Sequence, residues 1–207
     1  MKRVALPRLQ VIVLAAGFSS RLGEPKALAR VRGSSLLTKT LQCAAALHPA
    51  RIVAVVPRNS PRYRSQARGI KVTFADNSAR HRGLSSSVRR GITAARYASG
   101  VLLIPVDLVN LKTRELARLV KRWRGAPRCV VARRIRAAAA SFGAAPLVLP
   151  RCFYERALRV SGDIGLRELI AQLPPENRML IDIPSAATDI DTPEDLRAAR
   201  RSFRSRN

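Results

Sequence analysis

The residues from Leu14 to Lys26 read Leu-Ala-Ala-Gly-Phe-Ser-Ser-Arg-Leu-Gly-Glu-Pro-Lys. They follow the apolar run Gln10–Leu14, which predicts a first β-strand. Small residues Ala15, Ala16 and Gly17 at a strand end let the backbone approach a ligand closely. Backbone N–H groups in such a turn can hold phosphate oxygens. Arg21 offers a planar fork for phosphate, and Lys26 a point charge on a flexible stem. The run is neither a Walker loop nor the three-glycine dinucleotide pattern.

Acids are scarce, 13 Asp plus Glu against 39 Lys plus Arg, so their positions carry information. Asp107 is the only acid between Asp76 and Glu115. It closes the run Val101–Val106, and a strand's carboxyl end is the ligand edge of an open α/β sheet. Mg²⁺ takes hard oxygen ligands, usually one or two carboxylates plus substrate phosphates. Asp107 suits that role; a turn aspartate after a strand is the plainer reading. Asp189 and Asp191 precede Thr192-Pro193-Glu194-Asp195, a helix start with Thr192 as N-cap. In an extended segment their side chains point the same way. They could add an oxygen ligand to the metal, or only form the turn into the helix.

Asn77, Gly83 and Ser87 surround a third helix start, where small polar residues either cap or bind anions. His48 and His81 receive no role.

Short apolar runs at 10–14, 52–56, 71–75, 101–106, 129–132, 146–149 and 179–183 predict strands. Helical patterns over 36–47, 85–97, 113–123 and 166–173 alternate with them. This alternation predicts an α/β fold: a Rossmann-like three-layer sandwich around a mostly parallel sheet. One domain spans residues 1–207, with its core at about 9–199 and a basic tail at 200–207. Residues 133–140 carry the weakest pattern and read as a loop or short helix.

The formal charge of +26 attracts polyanions and anionic substrates. Aromatics are only 4 %, which leaves poor stacking platforms for nucleic acid. No apolar run approaches the ~18 residues of a membrane span. Lys2, Arg3 and the apolar stretch imitate a signal peptide, but the stretch is short and runs into the glycine-containing loop. Cys43, Cys129 and Cys152 lack metal or redox spacing, which fits a reducing cytoplasm.

Leu-Ala-Ala-Gly-x-Ser-Ser-Arg-Leu-Gly-x-Pro-Lys resembles the opening signature of the MobA-like nucleotidyltransferases, most of all their molybdenum cofactor cytidylyltransferase branch. Asp-Ile-Asp-Thr-Pro-Glu-Asp-Leu at 189–196 is similar to the family's closing motif. Gly162-Asp163-Ile164-Gly165-Leu166-Arg167 resembles the branch's Gly-Asp-x-Gly-Ala-Arg element, on the side of the acceptor substrate. The resemblance implies a nucleotide-diphospho-sugar transferase (GT-A-like) form of the fold. It implies that the loop from Leu14 wraps a triphosphate, with Arg21 and Lys26 neutralising it and Asp107, Asp191 and Asp189 holding Mg²⁺. It places Asn77, Gly83 and Ser87 near base and ribose. It places Gly143, Gly162, Asp163 and Arg167 near a molybdopterin-type phosphate acceptor.

The implied reaction moves CMP from CTP to that acceptor and releases pyrophosphate. Ala16, where the guanylyl branch more often has glycine, favours CTP over GTP by the ~1–3 kcal/mol a methyl commands in a pocket. A molybdoenzyme or its chaperone is a conceivable partner. Departures fall on the acceptor side. Leu108 and Val109 follow Asp107 where the family has a proline. The Gly-x-Pro turn is lengthened to Gly143-Ala144-Ala145-Pro146, and alanines fill 137–140. Alternatives are a guanylyl- or sugar/alcohol-phosphate nucleotidyltransferase of this fold, or a non-catalytic basic module for RNA or a partner protein.

Overall fold

The computed structural model describes residues 7–137, 141–162, 165–186 and 188–201. Nine strands are described: β1 (Leu9–Leu14), β2 (Arg30–Val31), β3 (Ser34–Ser35), β4 (Arg51–Pro57), β5 (Thr73–Asn77), β6 (Gly100–Pro105), β7 (Val130–Arg136), β8 (Ser141–Pro150) and β9 (Arg178–Ile181). Between and after them come α1 (Leu36–Ala45), α2 (Pro61–Arg64), α3 (Leu84–Ala94), α4 (Thr113–Gly125), α5 (Tyr154–Arg159), α6 (Gly165–Ala171) and α7 (Pro193–Arg201).

Among the described residues the strands form a seven-stranded sheet, ordered β5-β4-β1-β6-β8-β7-β9, beside the small β2–β3 ribbon. The pairs β5–β4, β4–β1, β1–β6 and β7–β9 are parallel. Only β8 runs against its neighbours.

Both faces of the sheet are buried, which is why its strands read as continuous apolar runs. In β1, Val11 and Val13 face one core, with α1, α4 and α7. Ile12 and Leu14 face the other, with α3, α5 and α6. The helices contribute matching stripes: Leu37 and Leu41 from α1, Leu116 and Trp123 from α4, Val88 and Ile92 from α3. Contacts are close. A Cβ on Gly91 would lie 2.5 Å from Ile12, and one on Gly100 would lie 2.4 Å from the Trp123 ring.

Helix α7 starts as its sequence predicts. Thr192 Oγ1 accepts from the Asp195 N–H at 3.2 Å, while Asp195 Oδ2 accepts from the Thr192 N–H at 2.8 Å. This is a reciprocal capping arrangement.

Three expectations need correcting. Residues 133–136 belong to β7 rather than to a loop or helix, because they pair with β8 over Arg133–Ala144 to Arg136–Ser141; residues 138–140 lie outside the described set. The turn expected around Gly143–Pro146 is instead part of β8. There Ala132 faces Leu147 but Arg133 faces Ala144, so Ala145 and Pro146 form a bulge without register partners. The expected strand at 71–75 shifts to 73–77, where it pairs with β4.

No described helix is long and apolar enough to cross a membrane.

Candidate active site

Strand β1 lies between β4 and β6. The chain first builds to one side of β1, through β4 and β5, and then crosses to β6 on the other. Such a reversal opens a crevice at the carboxyl ends of the strands, the common ligand position in open α/β sheets. A cavity of about 690 Å³ lies there. The loop after β1 (14–20) forms one wall, Pro105–Asp107 after β6 another, and Arg80–Leu84 with Ser87 a third.

The loop after β1 is held from within. Ser19, in a left-handed conformation at φ 57°, accepts the Lys26 N–H at 2.9 Å through its Oγ. The Lys26 side chain, only 14 % exposed, then enters the cavity. Its ammonium lies 3.3 Å from Asp107 Oδ2 and 2.7 Å from Asp191 Oδ1. Burial draws its pKa down, but Asp107 and Asp191 outweigh that and hold it above the usual lysine value.

The two acidic segments are tied together. Leu108 and Asp189 form an antiparallel bridge, and the Ile190 N–H donates to the Asp107 carbonyl at 3.2 Å. Asp189 lies 3.8 Å from the Arg133 guanidinium. Burial, together with the charge of Asp107, raises the Asp189 pKa against the pull of Arg133.

The third wall is the start of α3. Gly83 adopts φ 80°, a backbone conformation that glycine takes at no steric cost, and α3 begins at the next residue. Asn77 Nδ2 donates to Ser86 Oγ and Ser87 Oγ at 2.9 and 3.0 Å, while its Oδ1 accepts from the Ala79 N–H. A helix N-terminus presented to a cavity favours anions.

Several expected site residues meet here: Leu14, Ala15, Ala16, Gly17, Lys26, Gly83, Ser87, Asp107 and Gly162 all border the cavity. Others do not. Arg21 is turned to the rim, 74 % exposed and 3.5 Å from Asp191, so its fork meets a carboxylate rather than the cavity. Asn77 is buried beneath the wall and positions the serines of α3. Gly143 is a packing residue: a Cβ there would lie 2.6 Å from Ile170 of α6. Arg167 stacks on the Phe142 ring, 4.5 Å from its centroid, and does not border the cavity. Asp163 lies outside the described residues.

The expected three-acid metal cage is not assembled: no group of three or more His, Cys, Asp or Glu is placed to hold a metal among the described residues. Lys26 bridges Asp107 and Asp191, and Arg133 draws Asp189 aside. Asp107 and Asp191 still offer exposed carboxylate oxygens, 28 % and 44 % by side chain. That donor set suits Mg²⁺, which needs one or two carboxylates when phosphates and waters supply the rest.

Sequence reasoning missed two groups. Arg80, His81 and Arg82 line the cavity, and the Arg80 guanidinium lies 4.0 Å from the centroid of the exposed Phe18 ring. Three consecutive basic residues before a glycine were a signal, submerged in a chain this basic. Arg133 is buried inside β7 and donates to the Ala186 carbonyl as well as pairing with Asp189.

The family model described as MobA-like NTP transferase domain matches residues 11–177. The chain belongs to this family. Asp189 and Asp191 lie beyond the part that the MobA-like model matches. A curated relative from Rhodopirellula baltica, named "Probable molybdenum cofactor guanylyltransferase", is 31 % identical over 133 residues. That match spans 63 % of this chain and 63 % of the relative.

Solved structures share the MobA-like chain's fold. A nucleotidyl transferase from Methanothermobacter thermautotroptrophicus superposes with a TM-score of 0.78 at 18 % identity, covering 97 % of this chain and 99 % of that one. Rv0371c from Mycobacterium tuberculosis, in complex with manganese, gives 0.69 at 23 % identity, covering 94 % and 99 %.

Proposed function

We propose that the chain is a single-domain, divalent-metal-dependent nucleotidyltransferase that moves CMP from CTP to a molybdopterin-type phosphate acceptor. The observation that carries this reading is the convergence of Lys26 and Asp107, 81 residues apart in sequence, inside one cavity at the strand reversal. A cation on one wall and a carboxylate on the other match a polyphosphate and its metal.

In this reading an oxygen of the acceptor phosphate attacks the α-phosphorus of CTP. The bond from that phosphorus to the bridging oxygen breaks, and pyrophosphate leaves. Backbone N–H groups after β1 and the start of α3 hold the triphosphate in line. Lys26 neutralises the leaving pyrophosphate, and Arg21 swings from Asp191 to assist at the rim. Asp107 and Asp191 would hold Mg²⁺, which would supply charge stabilisation on phosphate oxygens; the manganese complex of Rv0371c supports a divalent ion. The protein's contribution is positioning and preorganised charge rather than a covalent step. Gly162 marks the acceptor side, next to α3 through the Ser85 N–H to its carbonyl at 3.1 Å.

Ala16, buried and bordering the cavity, supports the smaller base. GTP is the second reading, favoured by the name of the Rhodopirellula relative. Pyrophosphate release separates them. The purified chain is mixed with Mg²⁺ and CTP or GTP, with and without molybdopterin. Release that needs CTP and acceptor is the expected result. Release with GTP alone among the nucleotides replaces CTP by GTP, and no release with either overturns transfer to a molybdopterin acceptor.

A further inference from the structure

Behind the loop that carries Asp107 lies a second cavity, of about 860 Å³. The turn between β2 and β3 contributes Arg32, α1 contributes Lys39, and the start of α4 contributes Lys112 and Thr113. Ser185 closes the far side. Three cations border this cavity, and among the described residues no carboxylate does. Glu115 of α4 is buried behind the lining residue Ser185, accepting from both its N–H and its hydroxyl.

Three features make this more than a basic surface. Arg32 and Gly33 form a two-residue turn with φ 56° and 73°. Such turns favour asparagine or glycine at both places, yet an arginine stands there and its side chain reaches the cavity. Lys39 is held near Arg32, and burial together with that like charge lowers its pKa. The N-terminus of the 13-residue α4 adds partial positive charge on the same side.

We propose that this cavity is a second anion site, which binds a small phosphate-bearing molecule through Arg32, Lys39 and Lys112 at the start of α4. It is separate from the nucleotide cavity and does not depend on the reaction assigned to that cavity. A ligand here touches Asn110 on one side and Ser185 on the other. These belong to the segments that carry Asp107 and Asp189.

The test is calorimetric titration with inorganic phosphate and with ribose 5-phosphate. A salt concentration of about 0.15 M limits the reach of the diffuse positive field to roughly 8 Å. Wild type is compared with the double variant Lys39→Gln/Lys112→Gln and, separately, with Arg32→Gly. Glycine adopts the left-handed turn freely, so the second variant removes a charge without straining the fold. The expected result is a wild-type binding event, apart from any at the nucleotide cavity, that weakens at least about tenfold in both variants, as loss of a charge-assisted contact implies. Weakening for ribose 5-phosphate alone assigns the site to phosphate esters, and weakening for both ligands assigns it to the free anion as well. Equal stoichiometry and affinity across all three proteins overturns the site.

Discussion

Lys26 donates to Asp191 at 2.7 Å although 165 residues separate them. The first loop and the last helix start therefore meet at one point of charge. In a phosphate-free protein this ammonium is balanced by Asp191 and Asp107. A triphosphate competes for the same cation.

Replacing Lys26 by alanine is expected to weaken triphosphate binding by roughly 10–100-fold, the range of a charged hydrogen bond. Monophosphate binding should change much less, because the ammonium is assigned to the leaving group. Titration of CTP and CMP against both proteins checks this. Equal losses for the two would remove Lys26 from the pyrophosphate end.

Asp107→Asn keeps shape and removes charge. Turnover is expected to fall on the order of a hundredfold or more, as for loss of a group that stabilises transition-state charge. The unfolding midpoint should stay close to that of wild type. Full turnover in the variant would exclude Asp107 as a metal ligand.

Arg133→Met tests the brace behind Asp189. The guanidinium side chain is 10 % exposed, so its removal leaves the Ala186 carbonyl and Asp189 without that partner. A cost of about 2 kcal/mol is expected in urea unfolding, below that of a fully buried pair because Asp189 remains partly solvated. An unchanged midpoint would show that water replaces the brace.

Acid stability should depend on Asp195. Hydrogen bonds from the Thr192 hydroxyl and N–H, then from the Asp191 N–H, hold its carboxyl below the usual carboxylate range. The unfolded chain takes up that proton at higher pH than the folded one. The stabilisation is therefore present above the ordinary carboxylate range and disappears as pH falls through and below it. Asp195→Asn should flatten this acid limb when unfolding is followed from pH 7 to pH 3. Parallel curves for both proteins would show that the cap does not titrate with the fold.

The layers of the fold were legible because the strands are buried on both faces, so Val11 to Leu14 or Val101 to Ile104 read as unbroken apolar runs. Lys26 and Asp107 were legible because the scarce acid follows one apolar strand closely and the lysine sits at a fixed spacing in the loop after another. Arg133 was not, since two arginines inside a strand look like a loop until a buried carbonyl and carboxylate receive one of them. Nor were Arg80 and Arg82, two cations among 39, with His81 between them, whose placement depends on the turn at Gly83. Asn77 and Gly143 had roles suggested by motif but positions set by packing. Their partners, the α3 serines and Ile170, are not sequence neighbours.

The bridge between Leu108 and Asp189 stitches the last tenth of the chain onto its middle. A shortened version ending at 177, where the family match stops, would keep the phosphate loop yet leave Lys26 facing one acid instead of two. It would also strip Ile183, Ile190 and Leu196 from the interior. The segment leading into the C-terminal helix thus backs the ammonium of Lys26, and trimming it would disarm the opposite end of the polypeptide.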